Sequence, residues 1–380
     1  MTIQRWVLAG VCLWGTQSLA RCEEPKAQSI KVLALQPDGK PAGNLAQRDW
    51  TLKIAGKEVS VKEVLPPSEV SKRPVKWTIV LMPVWDPKVR QITLVSVANF
   101  LKGLPASDSA LIVMQGEKGL QCLTPGFTRR PTLWASALER AITEFRAGLR
   151  SNTLTFTLPA SPTAEPAEEK KPIQALLDQL GSIEMKRQME DARSHRSFKE
   201  DYVEARTGLR EVPGARFEKL KGWTRTVVST LSSLDALAQA VANEPGEKQV
   251  IVFSRNEVDD LGSPLWLRDQ GQIEVADMIA SVRQAISKTR DNFALAGVTF
   301  HLVSGAGLGY SGALGEVAQA TGGFSLFFQQ SMPERLGQAL ESWVNRYEIS
   351  FQWPAEAKRP APLEVSASGA NLRLFAPAMH

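Results

Sequence analysis

Hydrophobic residues are distributed along this chain in distinct regimes. Between residues 28 and 65 they alternate with polar ones, as in half-buried strands: Ser29–Leu35, Trp50–Ile54 and Val59–Val64. Pro37-Asp38-Gly39-Lys40-Pro41 is a turn cluster, and Ala55-Gly56-Lys57 a tight hairpin connection. From Trp77 the pattern changes to continuous apolar runs: Trp77–Val84, Ala110–Met114, Leu120–Leu123, Gln249–Phe253, Val298–Val303 and Phe324–Phe328. Such runs predict strands buried on both faces. Val89–Leu101, Thr132–Arg146, Ile273–Phe293 and Pro333–Arg346 carry apolar residues at helical spacing. Strands alternating with helices predict an α/β domain with a Rossmann-like, doubly wound, mostly parallel sheet. After Arg346, Tyr347–Trp353, Leu363–Ser366 and Leu372–Phe375 return to alternation. They predict a β tail that packs with the N-terminal strands, since domain termini often lie close together.

Residues 151–222 interrupt the alternation. A Pro-rich stretch from Pro159 to Pro172 precedes a short amphipathic face of Ile173, Leu176, Leu177, Leu180 and Ile183. Lys186 to Arg210 is almost entirely polar and reads as an exposed helix or a disordered segment. Phe217, Leu220, Val227, Leu231, Leu234 and Val241 then space like one long helix, with Gly222 as its weak point. The predicted organisation is an N-terminal β unit over 21–70 and an α/β domain over 75–346. That domain carries the charged helical insertion 151–222, and a β tail follows over 347–380.

Residues 1–20 are set apart from the fold. Arg5 precedes an apolar segment from Trp6 to Gly15, and Ser18-Leu19-Ala20 resembles a small-x-small cleavage site. Together these predict a signal peptide, and hence export to the periplasm or the extracellular space. Arg21 stands where a lipobox before Cys22 would need a small residue. No later run approaches the ~18 apolar residues of a membrane span, so no membrane insertion is predicted after cleavage.

Composition narrows the chemistry. In 380 residues, 45 Lys+Arg against 40 Asp+Glu leave a formal charge of +5. With no long basic run, this predicts no nucleic-acid partner. Three Cys exclude a disulfide-rich scaffold and a multi-Cys zinc site. In an oxidising compartment Cys22 and Cys122 are a candidate disulfide. The alternative is Cys122 buried in a strand and Cys22 free. Of the three His, His195 lies in the polar insertion, and His301 in a buried strand reads as a core residue rather than a base. No G-x-S-x-G or P-loop motif occurs. Gly307-Leu308-Gly309-Tyr310-Ser311-Gly312 fits G-x-G-x-x-G, but it lies late in the sheet with no acid after the next strand. It reads as a rim loop rather than a dinucleotide site.

In open α/β sheets ligands bind beyond the carboxyl ends of the strands. Here those ends are followed by Met82-Pro83-Val84-Trp85-Asp86, by Arg130-Pro131-Thr132-Leu133-Trp134, by Ser254-Arg255-Asn256-Glu257-Val258-Asp259-Asp260 and by Ser304-Gly305-Ala306-Gly307. In this order they resemble a von Willebrand factor A domain, more closely the bacterial exported proteins with a VWFA-related domain. The N-terminal phrase Asp38-Gly39-Lys40-Pro41…Asp49-Trp50…Gly56-Lys57-Glu58-Val59 is similar to the segment that precedes that domain. Gly297-Val298-Thr299-Phe300 and Ala318-Gln319-Ala320-Thr321-Gly322-Gly323 are similar to its late strand and helix.

The resemblance implies a metal-ion-dependent adhesion site: Asp-x-Ser-x-Ser after the first strand, a Thr in a later loop and an Asp after the fourth strand. In this chain the Asp position falls on Met82 and the Ser positions on Val84 and Asp86. Thr132 fits the Thr, and the later Asp falls on Arg255. A cation among so few oxygens opposes Mg²⁺, so the site reads as degenerate. Its rim is Trp85, Asp86, Thr132, Arg255 and Asp259. The Arg255 guanidinium either takes the metal's place against Asp86 or Asp259 or points to solvent. Trp85 and Trp134 either anchor a protein interface or pack internally. The reading is therefore an exported protein-binding or scaffolding module with an unidentified protein partner, no metal, no cofactor and no catalysis. A metal-dependent adhesin with a non-standard cation site is the alternative. A nucleotide-binding or hydrolytic enzyme is a remote one.

Overall fold

The computed structural model describes residues 27–38, 40–43, 45–82, 87–116, 119–147, 156–159, 169–181, 213–254, 273–304, 313–327, 332–368 and 371–378. The chain opens with β1 (Ala27–Leu35), β2 (Trp50–Ile54), β3 (Lys57–Val59) and β4 (Val61–Leu65). β2 turns into β3 through Ala55 and Gly56, at φ 50° and 78°. Two successive residues with positive φ give a turn whose twist matches the flanking strands. The single strand expected over Val59–Val64 is instead two, because β3 and β4 belong to different sheets.

β5 (Val75–Leu81), β6 (Ser109–Gly116), β7 (Gly119–Cys122), β8 (Glu247–Ser254), β9 (Val298–Ser304) and β10 (Ser325–Phe327) form a six-stranded sheet in the order β10-β9-β8-β5-β6-β7. All neighbours run parallel except β7, which closes the edge antiparallel to β6. Numbered within the sheet, this is the doubly wound order 3-2-1-4-5-6, α/β with its switch point between β5 and β8.

Alternate residues of each strand point to opposite faces, and both faces are covered, which explains the unbroken apolar runs. Ile79, Leu81, Ile112 and Met114 pack under the helices Pro87–Gly103 and Pro131–Ala147 and the helical residues 171–181. Val80, Leu111, Val113, Val250 and Val252 pack under the helices Pro213–Ala242, Ile273–Leu295 and Ala313–Ala320. The helix Pro213–Ala242 runs through Gly222 without a break.

β11 (Arg346–Gln352), β12 (Leu363–Ala367) and β13 (Arg373–Phe375) complete the chain. β1 lies between β11 and β13, and β12 pairs with β2. These antiparallel strands enclose a separate core of Ile30, Val32, Trp50, Leu52, Tyr347, Ile349 and Phe351. The Tyr347 hydroxyl donates to the Ala42 carbonyl at 2.9 Å and accepts from the Leu45 amide at 3.2 Å, pinning the loop after β1 over this core. No helix among the described residues is long and apolar enough to cross a membrane.

Candidate functional site

The switch point sets the first place to look. β5 and β8 end side by side there, and the Met82 amide donates to the Phe253 carbonyl at 3.0 Å. Trp85 and Asp86 beyond β5, Arg255 and Asp259 beyond β8, and the Gly307–Gly312 loop lie outside the described residues, as does Cys22.

Three rim positions are described. Met82 is 4% exposed and packs with Val80, Phe127 and Leu231 beneath the sheet end. Thr132 is exposed in the first turn of the helix Pro131–Ala147. Pro131 opens that helix, where a missing N–H costs nothing, and the Arg130 carbonyl accepts from the Leu133 and Trp134 amides. Trp134 takes the second of its two readings: it is 2% exposed and packs internally, so it is no surface anchor. Helical spacing sets it on one stripe with Leu138 and Ala141, facing the sheet. Its indole N–H finds no acceptor among the described residues.

Cys122 is a free, half-buried thiol on the edge strand β7. Burial pushes it up to about 11, so little of it is thiolate near neutrality. In reducing buffer at pH 7.5, iodoacetamide is expected to label native protein at Cys122 far more slowly than urea-unfolded protein. Equal rates, read by mass spectrometry, would contradict its burial.

His301 is a satisfied core residue. The Phe324 amide donates to its Nδ1 at 3.3 Å, which puts the proton on Nε2, 2.6 Å from Gln249 Oε1. Phe324 and Trp343 flank the ring at 4.2 and 4.9 Å between centroids. Burial, aided by the Arg346 charge, holds the imidazole well below its ordinary range, and so neutral.

The opposite end of the sheet, where it meets the β unit, carries a charge network that the sequence reading missed. Glu247 opens β8. Its Oε1 accepts from Arg346 Nη2 at 2.7 Å and from Gln249 Nε2 at 2.6 Å, and its Oε2 pairs with Lys31. Arg73 donates to Glu348 at 2.7 Å. The Arg346 guanidinium also lies 4.2 Å above the Trp343 ring. Burial alone would push the Glu247 carboxyl up, but Arg346 and Lys31 hold it at about 2. At Lys31 the outcome is reversed, and burial lowers the amine despite Glu247. One carboxylate is served by two cations, so each cation receives only a share of it.

Strand alternation explains why this was missed. Tyr347, Ile349 and Phe351 face the β core, which leaves Glu348 and Ser350 on the face that reads as solvent-exposed, and Arg346, expected at the end of a helix, instead opens β11 on that same face. In the fold the α/β domain covers that face at Arg346 and Glu348, which are 4% and 7% exposed. A cavity of about 460 Å³ opens along the seam beside Lys31, Arg73, Glu247 and Glu348. Each of these four charges has an opposite partner within the chain.

No protein-family model matches the chain, and no curated protein matches it by sequence. Among solved structures it is similar to the von Willebrand factor type A protein from Catenulispora acidiphila. Identity is 10% and the TM-score 0.33, over 89% of this chain and 75% of that one. It is also similar to the VWA domain of SpRpn10, at 10% identity and TM-score 0.29, over 70% of this chain and 94% of that one. The N-terminal domain of TFIIH p34 is similar at 11% identity and TM-score 0.27, over 71% and 98%. Likeness this distant says nothing about partners or activity, and the α/β architecture rests on the strand order itself.

Proposed function

We propose that this chain is an exported protein-binding or scaffolding module. Its von Willebrand factor A-like domain would present the sheet rim to a protein partner without a metal ion and without catalysis. Met82 carries the reading. It occupies the strand-end position that the resemblance gives to the first metal-binding Asp, and its side chain is buried among apolar neighbours. A thioether offers no hard oxygen, and Mg²⁺ requires oxygen ligands in near-octahedral array. The described residues of this rim therefore do not fit that ion. Export rests on the n-region, apolar segment and cleavage-site pattern of residues 1–20.

Thermal unfolding of residues 21–380 with millimolar Mg²⁺ or Mn²⁺, against an EDTA control, tests the metal-independent part. A native-state ligand at a hundredfold excess over its Kd adds about 2.7 kcal/mol. The expected result is no shift in the midpoint. A saturable rise would overturn the reading and favour an adhesin that recruits Asp86 and Thr132. Crosslinked capture on wild-type, Trp85→Ala and Arg255→Ala protein tests the rim itself, since a partner held there is lost from the variants.

A further inference from the structure

A second cavity, of about 290 Å³, lies between the C-terminal end of the helix Pro87–Gly103, the helix Met332–Val344 and the short helix Pro67–Val70. It is near the lower end of the roughly 300–1,000 Å³ typical of small-molecule sites. Its wall is apolar, built from Trp77, Phe100, Leu104, Leu336, Leu340 and Trp343, and its charged lining includes Asp108, Glu247 and Arg346.

The hydrogen bonds of that lining are unevenly met. Asp108 accepts from the Val75 amide at 3.0 Å, the Ser107 hydroxyl at 3.2 Å and the Trp77 indole N–H at 3.1 Å. Both Glu247 oxygens are engaged by Lys31, Arg346 and Gln249. The Arg346 side chain is 5% exposed, yet its Nε and Nη1 find no acceptor among the described residues. A buried donor without a partner carries a desolvation penalty, larger for a charged group. What the guanidinium lacks is an acceptor at Nε and at Nη1, each of which can donate to a carboxylate oxygen.

We propose that this cavity binds a small acid with an apolar body, an aliphatic or aryl-alkyl carboxylate. Its carboxylate meets Arg346 and its chain lies along Phe100, Leu336, Leu340 and Trp343. Neither unpaired nitrogen touches solvent in the free protein, so contact requires a small turn of the guanidinium about its Glu247 bond. Asp108 shares the cavity, and burial raises its carboxyl toward the neutral form. This site is separate from the sheet rim and stands whether or not the rim binds a protein.

Isothermal titration of residues 21–380 with decanoate, kept below its micellar concentration, tests the proposal, with decanol as the neutral counterpart. Decanoate is expected to bind saturably and at least about tenfold tighter than decanol, the value of a charge-assisted pair. Gly337 lines the cavity, and a Cβ built there meets nothing within 4 Å. Gly337→Phe therefore adds a bulky ring at the cavity wall from a position with room for a Cβ, and is expected to remove decanoate binding while the protein stays folded by circular dichroism. Equal affinity for decanoate and decanol, no binding of decanoate, or binding that survives in folded Gly337→Phe would each overturn the proposal.

Discussion

Gly323→Ala is expected to be among the most damaging single substitutions in this chain. An ideal Cβ at residue 323 would stand 1.8 Å from the Phe300 carbonyl oxygen and 2.7 Å from its carbon. Both are backbone atoms of β9, which is paired on both sides in the sheet, so neither can swing aside as a side chain would. The segment around Gly323 is tied to β9 on both sides. The Phe300 amide donates to Thr321 Oγ1 at 2.9 Å, and the Leu302 amide to the Phe324 carbonyl at 2.9 Å. Gly322 before it has φ +75° and lies under Pro377 of the C-terminal segment. The preceding helix ends at Ala320, and the Gly323 amide donates back to the Ala318 carbonyl at 2.8 Å. The strand must shift or the helix must undock, at about 4 kcal/mol or more, the range reserved for backbone clashes and core disruption. Urea unfolding followed by circular dichroism measures it. Gly337→Ala, in the open, is the control and leaves stability equal or higher. A Gly323→Ala midpoint within error of wild type would mean that this close approach does not exist in solution.

Gly323 also shows where sequence was informative. The phrase Ala318-Gln319-Ala320-Thr321-Gly322-Gly323 stands out in the sequence, and in the structure it is a helix end pressed onto β9. Elements whose signal is local were legible. The alternation of Trp50–Ile54 marks a strand buried on one face, and the runs around Ile79 and Ile251 mark strands covered on two. The split between β3 and β4 at Ser60 was not, because a strand that changes sheets keeps the same alternation. Trp134 illustrates a second limit. Its place near a strand end suggested the rim, but helix periodicity turns it inward. Arg346 and Glu348 illustrate a third. Strand parity assigns Glu348 to the outer face of β11, helical spacing places Arg346 at a helix end, and only the docking of two cores makes that face an interior. Long-range packing of this kind leaves no local pattern.

The seam network predicts a defined acid response. Glu247 is held at about 2 when folded, against an ordinary carboxylate value of about 4.3 when unfolded. A carboxyl depressed by folding contributes stability that is fully present above its unfolded value and is lost as the pH falls toward the folded one. The loss therefore lies between about pH 5 and pH 2, and a shift of this size is worth on the order of 3 kcal/mol. Asp108 works against it: its carboxyl is raised by burial, so its destabilising charge is relieved as pH falls, and the measured slope is shallower than Glu247 alone would give. Glu247→Gln separates the two. At pH 7 it leaves Lys31 and Arg346, 19% and 5% exposed in their side chains, as neighbouring cations without their shared carboxylate. Breaking a buried pair from one side costs roughly 3–5 kcal/mol, so a large drop in the urea midpoint is expected. The gap between wild type and Glu247→Gln then narrows steadily from pH 5 to pH 3, because the unfolded chain takes up a proton at Glu247 over this range while the folded carboxylate stays ionised. A gap that stays constant over that range would mean that Glu247 is not held ionised by Lys31 and Arg346. Adding Lys31→Met to Glu247→Gln removes one of the two stranded cations and is expected to recover part of the loss, which a merely steric defect at residue 247 would not allow.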